Sequence, residues 1–258
     1  MEDNITAEPK ILGPILLKIG IALLRAGASS NRISIIIHRI ASAYHCKPHI
    51  NVEPKSISLS LKMTGDQEVF NGTRSAADYG VNFKVLSGIS RMSQAVCEKQ
   101  WQMEDIKKEI DRLTGLPHYP QIMVLTAVAL AGASFCYTFG GDALEMSIAF
   151  GATFCGLLVK QQLLKISFNT YTCTFLAALI AALFAGGLHK AGLGFHLEYA
   201  FATSVLFLVP GVPLINFFVD LVAGNVLYAL DRGFTALTHV LVIAFGLATA
   251  VSIYNFQT

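Results

Sequence analysis

An asparagine and an aspartate, Asn216 and Asp220, stand four residues apart in a stretch that is otherwise apolar. On a helix, residues with this spacing share a face. Such a pair can hydrogen-bond a polar solute, bind a cation or carry a proton. Charged groups inside a membrane are costly and usually mark ion or solute paths. The alternative is that Asp220 lies at the membrane surface, where it is simply solvated.

Two prolines and a glycine, Pro210, Gly211 and Pro213, precede this pair. Each proline lacks a backbone N–H and its ring clashes with the preceding turn, so a helix must kink or break here. At the depth of the hydrocarbon layer, an interruption of a helix is tolerated only where it is buried inside protein or lies beside a water-filled cavity. A helix restarting near Pro213 would aim its free N–H groups at the break, which suits a carboxylate. The alternative is a kink that only shapes packing.

Other polar residues lie at the ends of neighbouring apolar runs. Lys160 and Gln161 end one run and Asn169 begins the next, so all three are candidates for lining a solute pathway. Lysine at such a position more often extends to the interface, and small polar residues also hold helices together. Arg25 and Arg32, in the first part of the chain, lie either on a solvated surface or against membrane phosphates or the cytoplasmic mouth of a pore.

Motifs typical of enzymes do not occur in the sequence. It contains no Gly-x-Ser-x-Gly, no His-Glu-x-x-His and no phosphate-binding loop. His45, Cys46 and His49 stand close together but lack an obvious fourth metal ligand. We therefore expect neither an enzyme nor a resident cofactor or metal.

Charged residues are distributed very unevenly along the chain. The sequence is 53% hydrophobic and only 14% charged, whereas about a quarter of residues in soluble domains are charged. Residues 1–118 hold 15 Lys+Arg and 12 Asp+Glu, but residues 119–258 hold only 4 and 5. We therefore predict a polar domain over 1–118 and a membrane domain over 119–258. The net charge of +2 is too small to indicate nucleic acid as a partner.

The polar part has the patterns of a small α+β domain. Apolar periodicity predicts helices over about 11–26, from Ser29 or Ser30 to Tyr44, 82–98 and 102–113. Alternation of apolar and polar residues predicts strands over His49–Glu53, Ser56–Met63 and Gln67–Asn71. We expect these strands to form an antiparallel meander packed on the helices.

Five apolar stretches in the second part predict five transmembrane helices. They lie at about 120–140, 143–162, and within 166–189, 199–219 and 233–258. The fourth contains the proline break. We thus predict an α-helical integral membrane protein with five transmembrane helices, preceded by a small α+β cytoplasmic domain.

Basic residues near the span ends predict the orientation. They precede the first span and follow the second and fourth: Lys107, Lys108, Arg112, Lys160, Lys165 and Arg232. The opposite loops hold mostly acidic residues: Asp142, Glu145 and Glu198, with Lys190 as the basic one. The N-terminus is therefore expected inside the cell and the C-terminus outside.

Three segments resemble signatures of the threonine/serine exporter family. Leu24–Ser29 followed by Arg32 resembles the family's amino-terminal signature, and Gly80–Leu86 resembles a later helix start. Leu208–Asp220 resembles its most recognisable membrane motif. In order along the chain, the resemblance covers about residues 12–255.

One position departs from the family pattern. The family often has an arginine before the aspartate of the membrane motif, and here those positions are Phe217, Phe218 and Val219. No basic substrate contact is therefore expected directly before Asp220.

The resemblance implies a cytoplasmic domain followed by five spans, forming the larger half of an exporter in the bacterial inner (plasma) membrane. Full-length members add a second membrane half with its own Pro-Gly motif. This sequence ends at Thr258 without one, so we expect the split form, in which a small separate membrane protein supplies the other half. The split form is associated with dicarboxylates, succinate in particular, rather than with amino acids.

Our first hypothesis is a subunit of a secondary exporter, driven by the proton motive force, for threonine, serine or a dicarboxylate such as succinate. In it, Pro210, Gly211 and Pro213 break the helix, Asn216 hydrogen-bonds the substrate, and Asp220 couples protons or cations. The expected partners are the lipid bilayer and a small membrane subunit. Assembly with further copies of this chain into a homo-oligomer is an additional possibility. The alternative is a non-transporting membrane scaffold whose cytoplasmic domain recruits or regulates a partner.

Overall fold

The computed structural model describes residues 9–63, 68–76, 80–116, 119–191 and 197–254. They fall into two compact units. The first consists of Met1–His118 with Val212–Gly233, and the second of Tyr119–Gly211 with Phe234–Thr258. Gln67, where the third strand was predicted to begin, and the predicted end of the fifth span beyond Tyr254 lie outside the described residues.

The first unit contains a three-stranded antiparallel sheet in the order β1-β2-β3. The strands are β1 (Cys46–Val52), β2 (Ser56–Met63) and β3 (Glu68–Ser75). The central strand has the predicted bounds and alternates as predicted, because Ile57, Leu59 and Leu61 are buried while the serines between them are partly exposed. The sheet therefore has one apolar face to cover, and helices cover it.

Four helices of the first unit come from the amino-terminal part of the chain. They are α1 (Pro9–Arg25), α2 (Ser30–Ala43), α3 (Phe83–Lys99) and α4 (Met103–Thr114). Helix α1 is the central element, since it contacts β2, β3 and all three other helices. Accordingly, 12 of its 17 residues are buried, and most of its surface is apolar. Ile11, at the predicted start of this helix, is 45% exposed, whereas Leu12 and Leu24 are fully buried.

The α1–α2 connection, residues Ala26–Ser29, is fixed at both ends. Helix α1 ends in a Schellman motif, in which Ala28 N–H donates to the Leu23 carbonyl at 3.0 Å and Gly27 N–H to that of Leu24 at 3.1 Å. Gly27 has a φ of +83°, which favours glycine. Ser29 caps α2, because its hydroxyl accepts the Arg32 N–H at 3.3 Å. The connection therefore presents its carbonyl groups in a defined geometry.

Long apolar helices make up the second part of the chain. They are α5 (Gln121–Thr138), α6 (Ala143–Lys165), α7 (Thr170–Lys190), α8 (Leu197–Ser204), α9 (Gly211–Val222) and α10 (Val226–Tyr254), with a 3-10 turn at Leu206–Leu208. Of the described helices, four are long and apolar enough to cross a membrane. A fifth span results if Glu198–Leu208 and Gly211–Val222, which are bent by 63°, form one broken span. The protein is thus a helical membrane protein with four or five candidate spans.

Small residues let the helices of the second unit approach closely. A Cβ added at Gly132 of α5 would lie 2.5 Å from the Thr153 hydroxyl of α6. A Cβ at Gly156 would lie 2.9 Å from the Ala177 carbonyl of α7. Such contacts between small residues are the usual means of helix association in a bilayer.

Helix α6 begins with a capping box. Glu145 N–H donates to Asp142 Oδ1 at 2.8 Å, and Asp142 N–H donates back to Glu145 Oε2 at 3.0 Å. Glu145 is buried. The acidic residues predicted for this loop therefore fix the start of a helix.

Candidate functional site

A tight helical hairpin carries the central residues of the candidate site. Helix α9 ends at Val222 and α10 begins at Val226. Between them, Asn225 N–H donates to the Asp220 carbonyl at 2.9 Å and Gly224 N–H to the Leu221 carbonyl at 3.1 Å, a second Schellman motif. Gly224 has the required positive φ of 81°. This turn fixes Asp220 in the last turn of α9.

The Asp220 carboxylate is completely buried, with 0% of the residue exposed. Its Oδ1 accepts the backbone N–H of Ser30 at 2.9 Å and the Ser30 hydroxyl at 2.7 Å. Ser30 is the first residue of α2. The carboxylate therefore lies at the positive end of the dipole of a 14-residue helix.

Arg232, in α10, is the cation beside this carboxylate. Its Nε lies 3.8 Å from Asp220 Oδ2. Among the residues that the structure describes, none donates a hydrogen bond to Oδ2. The Arg232 Nη2 instead donates to the Ala28 carbonyl at 2.7 Å and to the Tyr228 hydroxyl at 2.6 Å, and the guanidinium lies 4.7 Å from the Tyr228 ring centroid. The cation is thus held by groups other than Asp220.

Two asparagines complete the attachment of the hairpin. Asn216 Nδ2 donates to the Gly27 carbonyl at 2.8 Å, and Asn225 Nδ2 donates to the Ser30 hydroxyl oxygen at 2.8 Å. Because that hydroxyl accepts from Asn225, its own proton is directed at Asp220. We call Ser30, Asp220, Asn225 and Arg232 the Asp220 cluster.

All three signature segments meet at the α1–α2 connection. The Gly80 N–H donates to the Arg25 carbonyl at 3.0 Å, and the Asn82 N–H donates to the Ala26 carbonyl at 3.2 Å. Asn216 reaches the next carbonyl, that of Gly27. Residues far apart in sequence therefore bind consecutive carbonyl groups of one short segment.

The side chains of Arg25 and Arg32 point elsewhere. Both residues are exposed, and the Arg32 Nη2 donates to the Ser90 hydroxyl of α3 at 3.0 Å. Among the described residues, no group of three His, Cys, Asp or Glu side chains is placed to hold a metal ion.

The other predicted pathway residues belong mostly to the second unit. Lys160 and Gln161 are half-buried near the end of α6, and Asn169 is exposed, with its Oδ1 accepting the Tyr171 N–H at 2.8 Å. Pro210 and Gly211 lie at the break before α9. Pro213 lies in the first turn of α9, where its missing N–H leaves no helical bond unmade. The Asp220 cluster is therefore built from residues of the first unit.

Sequence reasoning missed Ser30, Asn225, Tyr228 and Arg232 as neighbours of the aspartate. One signal was available, since Arg232 is the only arginine in residues 119–258. A cation in so apolar a region requires an anion nearby. The cation expected in the family directly before the aspartate is absent here, and Arg232 supplies one from the next helix.

Comparisons with known proteins give a consistent result. A family profile described as "Putative threonine/serine exporter" matches residues 14–254. Two proteins named "Probable succinate transporter subunit YjjP", from Klebsiella aerogenes and Escherichia coli, are each 24% identical to this chain. These alignments cover 97% and 98% of this chain, and the same shares of the two relatives.

A further relative comes from a yeast. The "Pheromone-regulated membrane protein 10" of Kluyveromyces lactis is 27% identical over 185 residues, which are 69% of this chain and 19% of that protein. No solved structure matches the chain.

Proposed function

Because this chain belongs to the threonine/serine exporter family, we propose that it is the larger subunit of a secondary exporter of small carboxylic acids, driven by the proton motive force. Its membership and its transporter-subunit relatives make it a component of a membrane exporter and not an enzyme. The observation that carries the proposal is Asp220, a completely buried carboxylate in the family's broken-helix motif. Such carboxylates are the usual ion and proton carriers of membrane transporters.

Asp220 is the coupling residue of this proposal. Its charge is balanced by Arg232 at 3.8 Å and by the start of α2. A proton on Asp220 would remove that charge and weaken the attachment of the α9–α10 hairpin to α2. Proton binding would thereby shift the balance between two conformations of the hairpin, which is what coupling requires.

The substrate of the proposal is threonine, serine or a dicarboxylate such as succinate. The relatives named as succinate transporter subunits favour the dicarboxylate. In the transporting state, Asn216 exchanges its bond to the Gly27 carbonyl for one to the substrate. Pro210, Gly211 and Pro213 keep the backbone open beside it. The proposal keeps Lys160, Gln161 and Asn169 as further candidates for the solute pathway, and Arg25 and Arg32 as candidates for a cytoplasmic gate or interface.

The partner of the proposal is a small separate membrane protein that supplies the second half of the exporter. The word "subunit" in the names of both relatives supports such a partner, and a homo-oligomer is the alternative. We place the assembly in the bacterial inner membrane, with residues 1–118 as a cytoplasmic domain, 119–258 as the membrane domain, and the C-terminus outside. Reporter fusions to each terminus test this orientation.

Export from inverted or right-side-out vesicles tests the function. Vesicles containing the chain and its partner are loaded with labelled succinate, threonine or serine, with and without a protonophore. Protonophore-sensitive efflux of one of these solutes is expected, together with its loss in Asp220→Asn. Val219→Ala, an exposed neighbour on the same helix, is the matched control and should transport normally.

Two results would overturn the proposal. Unchanged efflux in Asp220→Asn would remove Asp220 from the mechanism. Absence of any solute movement by a folded chain with its partner would favour the membrane scaffold instead.

A further inference from the structure

The donors around Asp220 form a binding site for a carboxylate group. The Ser30 N–H and hydroxyl both point at one oxygen, at 2.9 and 2.7 Å. They stand at the start of a 14-residue helix, whose dipole favours a negative charge. Arg232 lies on the other side of the carboxylate, and its guanidinium is the preferred partner of carboxylates in proteins.

Asp220 fills this site incompletely. Its Oδ2 is fully buried, yet none of the described residues donates a hydrogen bond to it, and the Arg232 Nε stays 3.8 Å away. Buried carboxylate oxygens normally accept hydrogen bonds, and a buried oxygen that accepts none costs free energy. A carboxylate free of the α9 backbone could take the Ser30 donors and approach Arg232 more closely.

We propose that Ser30 and Arg232 form a carboxylate site that Asp220 occupies at rest, and that the carboxylate of the exported acid occupies it during transport. The identity of this acid rests on the proposed function, whereas the site itself rests on the cluster geometry. The displaced Asp220 takes up one proton from the cytoplasm as the acid binds, and releases it outside as the acid leaves and Asp220 returns to the site. The cluster then keeps its balance of one negative charge beside Arg232 in both states.

The groups around Asp220 make it the proton acceptor of this exchange. From α10, Arg232 and behind it the Tyr228 phenol face the site. From α2, Ser30 contributes an uncharged hydroxyl, and from the α1–α2 connection come the Gly27 and Ala28 carbonyls. The carboxylate of Asp231 also acts electrostatically on Tyr228, but Asp231 is exposed, so among the described residues Asp220 is the buried carboxylate of the cluster.

Charge balance across the membrane favours a dicarboxylate as the acid. A dianion leaving the cell with one proton carries net one negative charge outward. An inside-negative membrane potential, the electrical component of the proton motive force, favours that direction by about 2.3 kcal/mol per elementary charge and 100 mV, while the accompanying proton moves against the pH gradient. A zwitterionic amino acid leaving with one proton would carry a positive charge outward against the same potential. The exchange therefore fits succinate-like acids better than threonine or serine.

Chemical rescue of a variant with an empty site tests the proposal. Asp220→Ala removes the resident carboxylate, and sodium acetate is the probe. We expect acetate to raise the melting temperature of the purified full-length Asp220→Ala chain by several degrees, saturably, above sodium chloride at equal ionic strength. Wild type and Val219→Ala, in which Asp220 fills the site, should respond equally to both salts. The double variant Asp220→Ala/Arg232→Gln should lose the acetate response.

An equal response of Asp220→Ala to acetate and chloride would overturn the site. The wild-type chain offers a second measurement should Asp220→Ala fail to fold. Its Kd for labelled succinate should fall up to tenfold per unit decrease in pH, over a range where succinate stays a dianion, because each bound carboxylate takes up one proton. Asp220→Asn should show no such slope, and an unchanged slope there would also overturn the proposal.

The two proposals fail separately in these experiments. Acetate rescue without any export by wild type would contradict the proposed exporter function but support the carboxylate site. Export by wild type, without acetate rescue and without a pH dependence of the Kd for succinate, would support the exporter function but contradict the carboxylate site. The same pH slope for threonine or serine, with none for succinate, would overturn the dicarboxylate assignment.

Discussion

The Asp220 carboxylate accepts both the N–H and the hydroxyl of Ser30, a residue 190 positions earlier in the chain. Because Ser30 opens α2, the membrane motif provides the negative charge at the start of a helix in the amino-terminal domain. The amino-terminal signature and the membrane motif are thereby joined in one cluster. A substitution on either side should therefore affect the stability of the same cluster.

Replacing Ser30 by alanine should destabilise the first unit by about 1–3 kcal/mol, because Asp220 loses one buried hydrogen bond and Asn225 loses its acceptor. The measurement is chemical denaturation of the purified chain, followed by fluorescence of Trp101, which packs against the core of this unit. Ser87→Ala is the control, since that exposed hydroxyl bonds only to its own helix. Equal stability of the two variants would contradict the expectation.

Replacing Arg232 by leucine should cost about 3–5 kcal/mol, because it leaves the buried Asp220 charge without its cation. Arg232→Lys should recover only part of this loss, since lysine lacks the planar fork that reaches the Ala28 carbonyl and the Tyr228 hydroxyl. Arg91→Leu, an exposed site on α3, should change stability little.

A double-mutant cycle separates the charge pair from other effects of Arg232. The combined Asp220→Leu/Arg232→Leu variant should be destabilised by less than the sum of the single variants, because no unpaired charge remains. Strict additivity would show that the two side chains do not interact energetically.

Gly27→Ala should destabilise the α1–α2 connection by about 1–2 kcal/mol, because alanine is strained at a φ of +83°. Gly80→Ala provides a matched control in the same region: no described atom lies within 4 Å of a Cβ built there. Thermal unfolding of both variants is the measurement. A loss in Gly80→Ala as large as in Gly27→Ala would speak against backbone strain as the cause.

Tyr44 should resist ionisation in the folded first unit. Burial raises the pKa of its phenol to about 12, and its hydroxyl donates to the Trp101 carbonyl. Because the folded pKa exceeds the usual value of about 10, the contribution of Tyr44 to stability is complete below pH 10. It is lost as the pH rises from 10 to 12. The tyrosinate absorbance of wild type minus that of Tyr44→Phe should show a step near pH 12, and a step near pH 10 would contradict this assignment.

Local patterns in the sequence predicted much of the architecture. The alternation in Ser56–Met63 fixed the bounds of the central strand because one face of that strand is buried. The prolines of the membrane motif marked the place where the helix breaks: Pro210 lies between the two bent helices, and Pro213 lies in the first turn of the second one. The family resemblance, drawn from three short segments, is confirmed by the match over residues 14–254.

The partners of Asp220 could not be predicted in the same way. Periodicity places Asn216 and Asp220 on one face of α9, but it carries no information about what packs there. The pairing with Ser30 depends on tertiary contacts across most of the chain. Similarly, the fifth apolar helix was predicted within 233–258. Helix α10 in fact begins at Val226, since Arg232 is neutralised and hydrogen-bonded inside the first unit.

The composition of the first unit also determines the order in which it can be completed during synthesis. Its core includes Tyr228, and its α2 N-terminus is covered by Asp220, yet both residues leave the ribosome only after Tyr119–Gly211. The amino-terminal domain therefore lacks the Asp220 bonds to Ser30 and the Tyr228 side chain in its core until the intervening membrane helices have been made.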